Sequence, residues 1–217
     1  MCEVGYLHAP QKDAKATSLR IRQVLEVREE WMEGHPVSFS RSNIVELMVP
    51  GYTNFGGKVH GGLLMSMMDK LAYVCASKHA GNYCVTVSVD GVEFLAPVEV
   101  GEMVSMLGSV NYVGSTSLVV GIKVVSENIH TGTQRHTNTS YFTMVAKDTE
   151  GNTAQVPPLI LESEEDVRRF CSALQRKRLR QHARTHMQDY RDNFTVDDDV
   201  MRFLDQQRCV VAIAPNQ

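Results

Sequence analysis

The sequence predicts an α+β fold, with one long helix lying against a mostly antiparallel sheet. Three observations carry that expectation. A glycine-rich stretch opens into an apolar run too long for a strand, "GGLLMSMMDKLAYVCASKHA". One β-prone segment precedes this run and four follow it, separated by Gly-containing turns. No second helical pattern falls between those segments, so the alternation that builds a parallel doubly wound sheet is missing.

The elements follow in order. Residues from about Ala16 to Glu33 mix polar and apolar side chains and suit a helix or an extended arm. "NIVELMVP", Asn43 to Pro50, is a short strand halted by Pro and Gly. The helix should begin at the glycines and stop near "KHAGN", where Gly81 and Asn82 are C-terminal signals. "YCVTVSVDGVEFLAPV" then alternates with the period of a strand, and "EMVSMLGSVNYVG", "STSLVVGIKVVSENIHTG" and "HTNTSYFTMVAKDTEGN" continue the pattern. After "VPPL" the character changes. "ESEEDVRRFCSALQRKRLRQHARTHMQDYRD" is charged and helical, with a cap expected at Ser163 and acids in the first turn. "TVDDDVMRFLDQQ" suits a further short helix. The expected organisation is an N-terminal arm over residues 1–40, a core domain over 41–160 and a helical extension over 161–217.

Composition narrows the class. A hydrophobic content of 43% with 22% charged residues suits a globular core. The net charge of −3 gives no pull toward nucleic acid or an anionic membrane. Cys2, Cys75, Cys84, Cys171 and Cys209 are odd in number, scattered and free of any CxxC pair. That argues against a disulfide framework and against a metal site, and Cys75 and Cys84 read as small core residues. "MCEVGYLHAPQKDAK" has no signal-peptide core, and no apolar stretch approaches the length of a membrane span. A cytoplasmic protein is expected.

The central helix carries an anomaly. Its side chains read as buried on nearly all sides, yet Gly62, Ser66, Asp69 and Tyr73 recur at helical spacing and form a polar stripe. A buried carboxylate is costly unless it is paired or hydrogen-bonded. Asp69 is therefore a surface or Lys70-paired residue, or else a general base or nucleophile in a cleft. The loop before it favours the second reading. Its glycines admit a ligand close to the backbone, and the helix start offers free N–H groups to developing negative charge. The loop has neither the Walker A frame nor G-x-G-x-x-G.

"TNFGGKVHGGLLMSMMD", "CVTVSVDGVEFLAPVEVGE", "GSTSLVVGIKV", "TGTQRHTN" and "YFTMVAKD…VPPL" occur in this order over residues 43–160. Together they resemble the hotdog-fold acyl-CoA thioesterases of the cytosolic acyl-CoA hydrolase type. The resemblance implies a long helix wrapped by a five- to six-stranded antiparallel sheet. It also implies hydrolysis of acyl-CoA to free acid and coenzyme A, with no cofactor beyond the coenzyme A of the substrate. Sites in that family lie between two hotdog units. This chain holds one, so at least a homodimer is implied, and single-hotdog relatives commonly form trimers of dimers.

Residue by residue, the resemblance places the family's catalytic Asn on Asn54 and its catalytic acid on Asp69, contributed by different chains. Gly62 is the candidate N–H donor to the thioester oxygen. Asp69 would activate water or attack directly, and Asn54 would orient the water or the carbonyl. Coenzyme A is expected along Val87, Ser88 and Val89 and at the turn of Thr116, Ser117 and Leu118. Arg178, within the basic run Arg176 to Arg184, is expected to reach the nucleotide. The same run is otherwise a solvated helix face, and its single-helix footprint does not suit nucleic acid. His60 reads as a structural, helix-capping residue. Met65, Met68 and Tyr73 are candidate linings of the acyl pocket. The rival readings are a non-catalytic hotdog that binds acyl-CoA or nucleotide, and a hydratase, which the context of His60 does not supply. Residues 1–40 and the tail after Asp192 match nothing in the family pattern.

Overall fold

The computed structural model describes residues 34–213. Most of the expected N-terminal arm, including Cys2 and the segment from Ala16 to Glu33, lies outside the described residues. The elements in chain order are strand β1 (His35–Pro36), helix α1 (Val37–Ser40), β2 (Ser42–Leu47), α2 (Gly61–Ala80), β3 (Tyr83–Asp90), β4 (Glu102–Val113), β5 (Ser117–Asn128), β6 (Gln134–Lys147), β7 (Leu159–Ile160), α3 (Glu164–Asn193) and α4 (Asp198–Leu204). One sheet has the order β2-β4-β5-β6-β3 with every neighbour antiparallel. This is the expected single strand before the helix and four after it.

Helix α2 lies across one face of that sheet. Leu64, Met68, Leu71, Ala72, Cys75 and Ala76 are buried against Val104, Met106, Val110, Leu118, Ile122 and Met144 from the strands. The approach to β4 is close because Gly108 has no side chain. A Cβ there would stand 2.9 Å from both Leu71 Cγ and Cys75 Sγ. The helix ends as its glycine signal requires, since Gly81 takes the left-handed conformation at φ 65° and returns its N–H to the Ser77 carbonyl.

Two expectations about this helix are corrected. It is not enclosed on nearly all sides. Met65, Ser66, Asp69, Lys70, Tyr73 and Val74 form an open face in the protomer. Met65 and Val74 on that face look like core in the sequence but are exposed here, while Tyr73, of the expected polar stripe, meets the Tyr83 ring of β3 at 5.8 Å. Met68, by contrast, is fully buried among the core side chains. Met65 and Met68 stand only about 60° apart around the helix axis, on either side of the boundary between the open and the buried face.

Two features have no counterpart in the sequence pattern. β1 pairs in parallel with β7, His35 opposite Leu159, which ties the start of the described chain to the segment after β6. In the same region His79, at the end of α2, is fully buried. Its Nε2 donates to the Pro157 carbonyl at 3.0 Å, and its Nδ1 has no hydrogen-bond partner among the described residues. Burial holds the ring below the ordinary imidazole pKa.

The described chain divides into two compact units, one up to Ala173 and one from Leu174 onward. In the first unit α3 is capped as expected, with Ser163 Oγ accepting from the Asp166 N–H at 3.2 Å. Phe170 meets Tyr112 of the sheet at a ring separation of 5.1 Å. The second unit holds the rest of α3 and α4. The expected last short helix is α4, whose N-cap Asp197 accepts from the Val200 N–H at 2.9 Å. Cys75, Cys84, Cys171 and Cys209 are free thiols, the first two buried. No helix among the described residues is long and apolar enough to cross a membrane.

Candidate active site

Asn54 sits in a tight loop between the bridge residues Thr53 and Val59. Its backbone N–H donates to the Lys58 carbonyl at 2.7 Å, and its carbonyl accepts from Gly57, which turns through φ 76°. Its side-chain oxygen accepts from the Gly56 and Lys58 N–H groups at 2.9 and 3.2 Å. Those two donors fix the amide's orientation. The Nδ2 group is left to act as a donor, so the loop presents an N–H pair rather than an acceptor. Beside it Phe55 is entirely exposed.

The loop is anchored to the sheet at its exit. The Val59 N–H donates to the Val98 carbonyl and the His60 N–H to the Tyr52 carbonyl. Residues 91–98 are held in turn by β6. The Leu95 N–H donates to the Thr137 carbonyl at 2.9 Å, and Asn138 Nδ2 donates to the Glu93 carbonyl at 2.8 Å. The Phe94 ring lies against Gly61 at the start of α2. His60 is the N-cap of α2, the structural role expected for it, and its Nδ1 accepts from the Gly62 N–H at 2.9 Å. Leu63 and Leu64 donate to the His60 carbonyl, and the Gly61 N–H meets no acceptor among the described residues.

Asp69 lies on the open face of α2, two turns from the helix start. Its Oδ1 accepts from Thr86 Oγ1 of β3 at 2.6 Å. Thr86 Oγ1 is also 3.2 Å from Met144 Sδ. The hydroxyl has one proton, and the carboxylate is the stronger acceptor, so the sulfur contact is packing. Oδ2 of Asp69 has no partner among the described residues.

Thr86 was not among the residues expected at the site. It stands at a bulge: Thr86 pairs with Met144 and Ser88 with Thr143, so Val87 is inserted between them. The bulge lets Thr86 and Val87 both be exposed on an edge strand, which re-aims a side chain as bulges beside active sites do. The signal for Thr86 was available in the strand parity. Cys84 is buried in the core, and Thr86, two residues on, is the hydroxyl on that same side.

The residues expected at coenzyme A fall in two places. Val87, Ser88 and Val89 run along the β3 edge next to Thr86, with Val87 and Val89 exposed. Leu118 is fully buried in the core cluster, so its side chain is not open to a ligand. Through the pairs Leu118–Met144 and Thr86–Met144 it lies in one row with Thr86, two strand spacings or about 10 Å away. Thr116 and Ser117 lead into that row. Arg178 is exposed on the second unit's part of α3. No cluster of three or more His, Cys, Asp or Glu side chains suited to a metal ion occurs among the described residues.

A long helix wrapped by a five-stranded antiparallel sheet, with an Asn loop before the helix and a hydroxyl-bound acid on it, defines a hotdog-fold thioesterase. Residues 56–133 match the family model described as "Thioesterase superfamily". Protein VdlD of Helicobacter pylori is 46% identical over 134 residues, which are 62% of this chain and 76% of that protein. Among solved structures, an apo-hexameric acyl-CoA thioesterase is 35% identical with a TM-score of 0.68, covering 70% of this chain and 97% of that one. The acyl-CoA hydrolase of Staphylococcus aureus, solved with butyryl coenzyme A, coenzyme A and coenzyme A disulfide, is 28% identical with a TM-score of 0.66, covering 79% and 99%. That hydrolase has also been solved with Ala replacing an Asn, an Asp fifteen residues further on, and a Thr a further seventeen on. The chain belongs to the thioesterase superfamily, in the company of its acyl-CoA hydrolases.

Proposed function

We infer that this chain is an acyl-CoA hydrolase that cleaves the thioester to a free acid and coenzyme A, at a site built from two copies of the chain. The observation that carries the reading is the bond from Thr86 to Asp69. It orients a carboxylate on an open helix face and leaves its second oxygen free for water. Asn54, Asp69 and Thr86 also reproduce the fifteen- and seventeen-residue spacing of the residues altered in the Staphylococcus aureus hydrolase.

Distance supports the shared site. Gly62 and Asp69 are seven residues apart on one helix, about 10 Å along its axis. A single carbonyl carbon must lie about 3 Å from both the attacking group and the oxyanion donors. The donors Asn54 and Gly62 of one copy therefore serve the acid and hydroxyl, Asp69 and Thr86, of the other. The open face bearing Met65, Tyr73 and Val74, the exposed Phe55 and the exposed β3 edge at Val87 and Val89 are the apolar surfaces such a partner would cover. The repeat of this contact in a trimer of dimers follows the hexameric relative.

Asn54 Nδ2 and the Gly62 N–H hold the thioester oxygen as it gains charge. Asp69 takes a proton from water as the water attacks, or attacks the carbonyl itself to give an anhydride that water then opens. Coenzyme A leaves as its thiolate and is protonated. Coenzyme A lies along the β3 edge at Val87, Ser88 and Val89 and toward Thr116 and Ser117; Arg178, by its charge alone, is a candidate for its phosphates. Residues 41–160 are assigned to the thioesterase domain and 161–217 to an extension. The cytoplasm is its place, as for the cytosolic hydrolases it resembles. The test is thiol release from acyl-CoAs of graded chain length. Saturable turnover on at least one of them is expected. Tight binding without turnover across the series would instead establish a binding protein.

A further inference from the structure

In the protomer the Gly62 N–H is not free. His60 Nδ1 occupies it at 2.9 Å. The cap is close-fitting, since a Cβ on Gly62 would stand 2.9 Å from His60 Cε1. The ring is exposed, and the Gly62 N–H is its one hydrogen-bond partner among the described residues. A neutral imidazole nitrogen and a thioester oxygen ask for the same thing from this amide, a single N–H, and they cannot both lie on its axis.

We propose that His60 is a displaceable cap on the oxyanion donor, and that the thioester oxygen must expel His60 Nδ1 from the Gly62 N–H before reaction. The proposal rests on the reading of Gly62 as a donor given above. His60 is then a positioning residue, which keeps the helix start capped when no substrate is present. Leu63 and Leu64 already share the His60 carbonyl, so the backbone of the first turn stays bonded when the ring swings out. Only one solvent-facing hydrogen bond is lost, and the oxygen replaces it.

The kinetic consequence is specific. A cap that competes with the substrate reduces the fraction of binding-competent sites and raises KM without touching the chemical step. His60→Ala should lower KM about two- to tenfold, the span of one net hydrogen bond, with kcat unchanged. His60→Asn should restore the wild-type KM, because Asn Oδ1 occupies the position of His Nδ1 and is itself an N-cap acceptor. A purely structural cap would instead lower the melting temperature of His60→Ala and leave KM where it was, which would overturn the proposal.

A structure of the full chain as the Asp69→Asn variant with bound hexanoyl-CoA decides the matter independently of how His60→Ala folds. The proposal expects the thioester oxygen on the Gly62 N–H and His60 Nδ1 moved beyond about 3.5 Å from it. If the oxygen reaches Gly62 while His60 stays bonded, the donor reading survives and the displacement is wrong. If the oxygen lies on the Gly61 N–H or on Asn54 alone, with His60 unmoved, both are wrong.

Discussion

The two faces of α2 differ in what surrounds them. On one, Leu64, Met68, Leu71, Ala72 and Cys75 press into the sheet so closely that β4 needs Gly108 opposite them. On the other, Ser66, Asp69 and Tyr73 stand open, and Asp69 is held by a single hydroxyl from the edge strand. The closed face fixes where the helix lies, and the open face spends nothing on the core. Chemistry can sit on the open face because the fold does not depend on it. Substitutions on the two faces should therefore separate stability from catalysis.

The largest separation is expected at Asp69. Asp69→Ala should lower kcat by about 10²- to 10⁴-fold, the usual contribution of a positioned base, with no loss of stability. Thiol-release kinetics beside a denaturation curve would show it. Leu71→Ala should do the reverse. It empties a fully buried site and should cost about 2–5 kcal/mol in urea unfolding, with kcat per folded molecule retained. Thr86→Val keeps the shape and removes the hydroxyl. It should lower kcat about ten- to hundredfold, as expected for a hydrogen bond to a charged group, and leave the unfolding midpoint nearly unchanged. A Thr86→Val chain that unfolds early but turns over normally would put Thr86 on the wrong side of this division.

The smallest effect concerns pH at the end of the closed face. Burial holds the His79 ring below the ordinary imidazole value of 6.5. The unfolded chain takes up a proton there before the folded chain does. Stability is then fully present above 6.5 and declines as pH falls through and below it. Urea titrations from pH 7.5 to 5 should show that slope, and His79→Gln should flatten it.

The closed face was the part legible in the sequence. Long apolar runs, strand alternation and glycine stops mark elements directly, and α2, its end at Gly81 and all five strands follow from them. The open face was legible only in part. Asp69 stands out because an acid behind a glycine loop interrupts apolar sequence, whereas Asn54 was picked out only by the family resemblance. Met65 and Val74 looked like core because sequence does not distinguish a surface awaiting a partner from one facing a sheet. For Thr86 the strand parity marked the side its hydroxyl takes but not that it is exposed there. Its role depends on the bulge at Val87, and a single inserted residue leaves the alternation of "YCVTVSVD" nearly intact. The β1–β7 pair involves two residues on each side, too few to carry a pattern.

The central claim is that donors and acid come from different copies. It is tested most directly by mixing Asn54→Ala with Asp69→Ala after reversible dissociation of both. In a mixed dimer one site holds both intact residues and the other holds neither. Random re-pairing of equal amounts should then restore about a quarter of wild-type activity, since half the dimers are mixed and each has one good site. If mass spectrometry shows mixed dimers and activity stays at the level of the separate variants, the site lies within one chain and the account is contradicted.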